Sequence, residues 1–350
     1  MNRPTDLTPA ERFLRACRSE PVDRIPGWMM RQAGRYMDEY QAIRKDLSFL
    51  ELCKNPELCC EVAMQPINAF GLETSIVFSD ILLPAEAMGL DLSFGDGGPK
   101  LANPVRSLAD IEALKDFDPA IATPWPAEAV KLTKKALGKD RALIGFCGAP
   151  FTLASYMIEG KSSRQFENTK RLMWHDPKAL ELLLDRLTQN LIPYLRAQIE
   201  AGADAVQIFD SWAGCLGVDA FDQFALDWTR KLVAGVADLG VPVIYYVNGC
   251  DHVLEQMAGC GVDVISIDWR VDPQEAVMRV GGQVAIQGNM DPGVLLGPPE
   301  VAVAEFEKNV AAFQGNPGYI FNLGSGVMQW SPVETVAAVA KALRDWRPRD

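Results

Sequence analysis

The chain has 350 residues, 48% of them hydrophobic and 23% charged, ordinary globular proportions in a chain long enough to bury a large core. Its formal net charge is -12, so neither a nucleic-acid backbone nor an anionic membrane surface fits as a main partner, because most of the surface would repel it. A small anionic ligand stays open, since screening over about 8 Å lets a few converging arginines outweigh distant carboxylates.

The first stretch, MNRPTDLTPAERFLRA, carries no apolar segment fit for a secretory signal. No window approaches the roughly 18 apolar residues of a membrane span, which predicts a cytoplasmic protein. The run Arg24 to Arg31 (RIPGWMMR) reads as a strand and leads into MRQAGRY, Met30 to Tyr36. There Arg31 and Arg35, with Arg44 further on, gather around a flexible Gly34. Pairing with Asp38 or Glu39 would account for any single arginine. A cluster that starts at a strand end reads instead as an anion site, whose guanidinium forks suit carboxylate and phosphate alike. Asn55-Pro56 marks a helix start, a capping residue before proline. Thr74 to Asp80 (TSIVFSD) reads as the second strand. Asp80 at its end needs donors nearby, either as a structural cap or as an acceptor for ligand N–H groups that also steadies positive charge.

Asp91 to Pro104 (DLSFGDGGPKLANP) reads as a glycine-turned hairpin. Ala142 to Pro150 (ALIGFCGAP) is the third strand, followed by Tyr156 in GAPFTLASYMIEG. Glu159 to Lys170 (EGKSSRQFENTK) then reads as a mobile polar loop. Its GKSS is no phosphate loop, because Ser155 stands where that motif needs glycine. Asp176-Pro177 starts another helix, and His175 before it reads as a surface or packing residue. Five further runs complete eight strands: Ala205 to Ser211, Val241 to Gly249, Val262 to Trp269, Gln283 to Asn289 and Gly318 to Gly326. Cys250-Asp251-His252 reads as an ordinary loop, although it offers a thiolate and an imidazole two residues apart. Ser331-Pro332-Val333-Glu334 offers a capping box. The eight cysteines are scattered along the chain and read as reduced, buried thiols.

Unbroken apolar runs suit parallel strands covered on both faces, and their alternation with helices is the pattern of repeated βα units. Eight such units predict a (β/α)8 TIM-type barrel in a single domain spanning 1–350, with a doubly wound open sheet as the alternative. A barrel places its site at the C-terminal strand ends, here Arg31, Asp80, Pro150, Asp210-Ser211, Asn248, Asp268, Asn289 and Ser325. No GxGxxG, GxSxG or HExxH occurs, and two histidines leave little material for a triad or a histidine-rich metal site.

Taken together, MRQAGRY (30–36), FSDILLP (78–84), GAPFTLASYMIEG (148–160), QIFDSWAG (207–214), IDWRVDP (267–273), QGNMDP (287–292) and NLGSG (322–326) resemble the uroporphyrinogen decarboxylase family in order and over nearly the whole chain. The resemblance implies cofactor-independent removal of CO2 from the four acetate side chains of uroporphyrinogen III, an octacarboxylate, to give coproporphyrinogen III in haem biosynthesis. It implies no cofactor, no metal, and a homodimer. Arg31, Gln32, Ala33, Gly34 and Arg35 match the family's substrate-binding segment, and Arg44 matches a further carboxylate-binding arginine. Asp80 matches the aspartate that accepts hydrogen bonds from the pyrrole N–H groups; Tyr156 and Ser211 match substrate contacts. Asp80 and Arg31 are the implied catalytic residues.

At one position the chain departs from the pattern: the family reads NLGHG where this chain has Ser325. A serine hydroxyl hydrogen-bonds but cannot become a cation. Two alternatives follow, a tetrapyrrole binder without turnover and the zinc-dependent corrinoid methyltransferases of the same superfamily. The latter carry a His-x-Cys pair where this chain reads Tyr246-Val247-Asn248.

Overall fold

The computed structural model describes residues 4–95, 97–316 and 318–347. In chain order the strands are β1 (Thr74–Ile76), β2 (Leu92–Gly95), β3 (Gly98–Leu101), β4 (Ala142–Gly148), β5 (Ala205–Asp210), β6 (Val243–Val247), β7 (Val264–Ser266), β8 (Ala285–Met290) and β9 (Tyr319–Leu323). Seven of them form one curled parallel sheet in the order β1-β4-β5-β6-β7-β8-β9, ringed by helices, and β2 and β3 pair as the expected antiparallel hairpin. Strands β4, β6, β8 and β9 are buried at every position, as parallel strands covered on both faces should be.

The inner face carries Trp28, Ile144, Ala205, Ile244, Val264, Ala285 and Ile320, packed on one another. The outer face packs against helices, chiefly Pro177–Glu200 with Leu180, Leu183, Leu184, Leu187 and Leu191. Gln198 of that helix clamps β4: its amide accepts from Phe146 N at 2.9 Å and donates to Phe146 O at 2.9 Å. On the concave face of the sheet lies a buried polar layer. Trp28 Nε1 donates to Gln287 Oε1 (2.9 Å), and Gln287 Nε2 donates to Gln207 Oε1 (3.0 Å) and Ser266 Oγ (2.9 Å).

The eighth expected strand is not a strand among the described residues. Arg24 to Arg31 meets β9 through the single bridge Gly27–Phe321, where Trp28 N donates to Phe321 O (3.2 Å) and Phe321 N donates to Pro26 O (2.9 Å). Pro26 has no N–H to extend a ladder. Toward β1, side chains take the place of backbone pairing. Arg12 binds Asp23 (2.7 Å) and Glu73 (2.6 Å), Arg24 binds Glu73, and Gln32 Nε2 donates to Thr74 O at 3.2 Å.

The caps at Asn55 and Asp176 form as expected, each accepting a backbone N–H in the first helical turn. The box at Ser331 does not: Pro332 takes the cap position, and the Ser331 hydroxyl is buried without a partner. Nor is 159–170 a loop throughout. Glu159 ends the helix Pro150–Glu159, Lys161 bridges Lys100 of the hairpin, and Glu167 begins the helix Glu167–His175. Glu159 fastens the segment by accepting from Asn168 Nδ2 and Thr169 N. All eight cysteines are free, six of them buried. Among the described residues no helix is long and apolar enough to cross a membrane.

Candidate active site

The strand-end mouth is organised by the turn after Gly27. Its left-handed residue is Arg31 (φ 59°), a conformation that disfavours any Cβ-bearing residue. The turn is held from three sides. Met30 N donates to Asn322 Oδ1 (2.8 Å), Val327 N donates to Met30 O (2.8 Å), and Gln32 fills the space beneath. Gln32 is 1% exposed; its amide bonds Met29 N and Thr74 O, and its carbonyl accepts from Tyr36 OH at 2.6 Å. It therefore braces the turn, and its side chain does not face the mouth. Ala33 and Gly34 are half-buried beside it.

Arg31 and Arg35 are exposed, and Arg44 is half-buried with its guanidinium 5.8 Å from the Phe49 ring, donating to Leu47 O. Among the described residues none of the three has a carboxylate partner, so the pairing with Asp38 or Glu39 does not occur. The Arg31 stem lies across Gly326, where a Cβ would stand 2.7 Å from Arg31 Cγ and 3.0 Å from Nε. That glycine is what lets the NLGSG turn and the MRQAGRY turn touch.

Asp80 sits beyond β1, half-buried, with Oδ1 accepting from Leu82 N at 2.8 Å. Burial pushes its carboxyl up to about 6, against the pull of the Leu82 N–H and of Arg31. Tyr156, one turn before the end of its helix, packs on Trp212 with ring centroids 5.6 Å apart. Burial raises its phenol, Asp80 raises it further, and Arg31 lowers it. Asp80 and Arg31 thus lie close enough for their charges to act on each other and on the neutral Tyr156 phenol. On the concave face of the sheet Phe146, Phe209 and Tyr246 form an aromatic wall, with centroids 5.5 Å and 5.9 Å apart. Tyr246 OH donates to Gly324 O at 3.1 Å and also meets the Ser325 hydroxyl. Ser211 and Ser325 are both half-buried.

Other strand-end residues turn elsewhere. Asp210 faces the helix Pro150–Glu159, accepting from Thr152 Oγ1 (2.6 Å) and Tyr245 OH (2.8 Å); burial lifts its carboxyl to about 6 despite those donors. Asn289 is buried, donating to Asp268 O and Val271 O at 2.9 and 2.8 Å. Pro150 opens its helix. Cys250 and His252 do not converge as ligands. The Cys250 thiol is buried and pushed up by burial and by Asp268, and His252 Nε2 lies 2.7 Å from Leu216 O. No group of three metal-ligating side chains occurs among the described residues.

Sequence reasoning missed Tyr246, Phe146 and Phe209, whose signal was the alternation of inward positions along β4, β5 and β6. It also missed Trp212, whose ring packs at a tilt against Tyr156, and Arg270.

A family model described as Uroporphyrinogen decarboxylase (URO-D) matches residues 8–346. The chain is 48% identical over 339 residues to the uroporphyrinogen decarboxylase of Anaeromyxobacter sp. (strain Fw109-5), covering 95% of this chain and 97% of that one. It is 46% identical over 323 residues to the uroporphyrinogen decarboxylase of Geobacter metallireducens, covering 92% and 95%. Among solved structures, a methyltransferase from Methanosarcina mazei superposes with a TM-score of 0.83 over 97% of this chain and 99% of that one. At 24% identity that likeness shows the fold alone.

Proposed function

The chain belongs to the uroporphyrinogen decarboxylase family, and from that premise we propose that its strand-end mouth removes the four acetate carboxylates of uroporphyrinogen III as CO2, yielding coproporphyrinogen III for porphyrin biosynthesis. The observation that carries this assignment to a site is the convergence of Asp80, Arg31 and Tyr156 in a mouth with three arginines lacking carboxylate partners among the described residues. An acidic chain of net charge -12 has ample carboxylates to neutralise them. Unpaired guanidinium forks at one rim instead suit the carboxylates of a ligand.

Each turnover replaces a C–CO2 bond by a C–H bond. A proton adds to the pyrrole carbon bearing the acetate and the ring becomes iminium-like; CO2 leaves, the electrons of the broken C–C bond neutralising the ring as an exocyclic double bond; the exocyclic carbon is then protonated and the ring carbon gives up the proton it took, restoring the pyrrole. Asp80 accepts the pyrrole N–H groups, and its charge is held ready where positive charge grows on the ring. With its carboxyl lifted to about 6, it is ionised above that pH and strongly attracts a cation. Arg31 stands between Asp80 and Gly326 and handles the proton. A guanidinium is too weak an acid to give up its own proton, so Arg31 acts by fixing and polarising a water molecule. Arg35 and Arg44 hold peripheral carboxylates, with Ala33 and Gly34 as backbone neighbours and Gln32 as the brace. Tyr156, Ser211 and Ser325 contact the macrocycle.

The segment 24–31 serves as an eighth stave closing a (β/α)8 barrel in one domain 1–350, supported by the Gly27–Phe321 bridge and the Glu73 ion pairs. Family membership supports a cytoplasmic homodimer that needs no cofactor and has neither nucleic-acid nor membrane partners. The test is an anaerobic incubation of purified, metal-stripped protein with chemically reduced uroporphyrinogen III, separating products by remaining carboxylates. Four-carboxylate product is expected. Binding without product would make the protein a tetrapyrrole binder, and neither binding nor product would overturn the reading.

A further inference from the structure

The arginines Arg31, Arg35 and Arg44 all come from one stretch of chain, the segment beside β9 and β1, whereas the macrocycle carries carboxylates around its whole rim. One side of the mouth therefore needs a cation from another element. Arg270 follows β7 at its C-terminal end, and its guanidinium is fixed in place. Nε lies 3.1 Å from Asp268 Oδ1, Nη2 donates to Asn248 Oδ1 beyond β6, and the plane lies 4.4 Å over the Trp269 ring. Asp268 is buried and already accepts from the backbone N–H groups of Gly249, Cys250 (3.0 Å) and Arg270 (2.9 Å). The carboxylate is thus anchored by the backbone, and Arg270 is anchored by the carboxylate.

The Arg270 side chain is 53% exposed. At least three of its five N–H donors have no partner among the described residues. It also belongs to the same mouth. A Cβ on Gly324 would stand 2.8 Å from Asp268 C and Trp269 Cα, and Gly324 precedes Ser325, the neighbour of Gly326 under Arg31. A held fork with free donors loses less freedom on binding an anion than a mobile surface arginine does.

We propose that Arg270, braced by Asp268 and Asn248, is a substrate-carboxylate-binding residue that receives the side of the macrocycle turned away from Arg31, Arg35 and Arg44. The inference rests on the decarboxylase reading above. Its test compares wild type, Arg270→Gln, Arg270→Lys and Asn248→Ala as full chains in the anaerobic assay, recording KM, kcat and Tm with reduced uroporphyrinogen III. Arg270→Gln is expected to raise KM about tenfold with kcat within twofold and Tm unchanged, as befits loss of a charge-assisted contact made in ground and transition states alike. Arg270→Lys recovers part of the loss, and Asn248→Ala, which frees the fork without removing it, raises KM about threefold. Were Arg270→Gln to fail to fold, the other two variants would decide. Unchanged KM in the folded variants, or a fall in Tm that accounts for the loss, overturns the inference while wild-type turnover leaves the decarboxylase reading standing. No product from wild type overturns both.

Discussion

Asp80→Asn should make the protein more stable while abolishing its chemistry. A carboxyl that ordinarily titrates near 3.8 titrates here at about 6, because burial outweighs the Leu82 N–H and the nearby Arg31. At about 1.4 kcal/mol for each tenfold in proton affinity, holding Asp80 charged in the fold costs about 3 kcal/mol. The sign follows from proton binding. Below pH 3.8 both folded and unfolded chains keep the proton and nothing is lost. Between 3.8 and 6 the unfolded chain ionises first and gains the advantage. Above 6 the full penalty is present. Asparagine keeps the oxygen that accepts from Leu82 N and cannot ionise, so it removes the penalty. For 350 residues the unfolding entropy is about 0.7 kcal/mol/K, so 3 kcal/mol corresponds to about 4 °C in Tm. Thermal unfolding of wild type and Asp80→Asn should differ by that amount at pH 8 and by about half at pH 5. Uroporphyrinogen turnover by the variant should fall at least a thousandfold, the scale of removing a preorganised charge from a developing cation. A Tm gain that is absent, or equal at the two pH values, would refute the account of Asp80 as a charge held ready against its own solvation.

Gly326→Ala places a Cβ where the Arg31 stem runs; kcat/KM should drop at least tenfold with Tm nearly unchanged, since an exposed arginine can swing aside but no longer reach its post. Glu73→Gln removes the shared partner of Arg12 and Arg24 at the seam without backbone pairing. Stability should fall by about 3 kcal/mol, read as a lowered urea midpoint with an unchanged slope. Ser325→Ala should raise KM severalfold with kcat kept, if the hydroxyl beside Tyr246 orients substrate. Ser325→His should improve turnover, most in the later decarboxylations if an imidazole assists proton transfer, and product profiles showing no gain in any step would count against both roles.

Local signals carried much of the architecture. Seven parallel strands, the hairpin at Asp91 to Pro104, and the caps at Asn55 and Asp176 depend on residues within a few positions of one another, and a linear reading reaches them. The motifs around Arg31, Asp80 and Tyr156 likewise announced the family by their order. The seam at Arg24 to Arg31 was not legible, because its apolar run looks like any strand, while Pro26 and the distant Glu73 decide how it is joined. Nor was the left-handed Arg31, which persists because Asn322 and Val327, nearly 300 residues away, hold Met30.

Asp80 and Asp210 separate the two levels most clearly. Each closes an apolar run, and each has its carboxyl lifted by burial to about 6. Yet side chains along a strand alternate between faces, and β5 directs Asp210 outward to Thr152 and Tyr245. Asp80, on the stretch leaving β1, faces the mouth beside Arg31 and Tyr156. Residue type and spacing determined that buried carboxylates would stand at the strand ends. Which one meets a ligand was decided by the face it occupies and by what the rest of the chain brings opposite it.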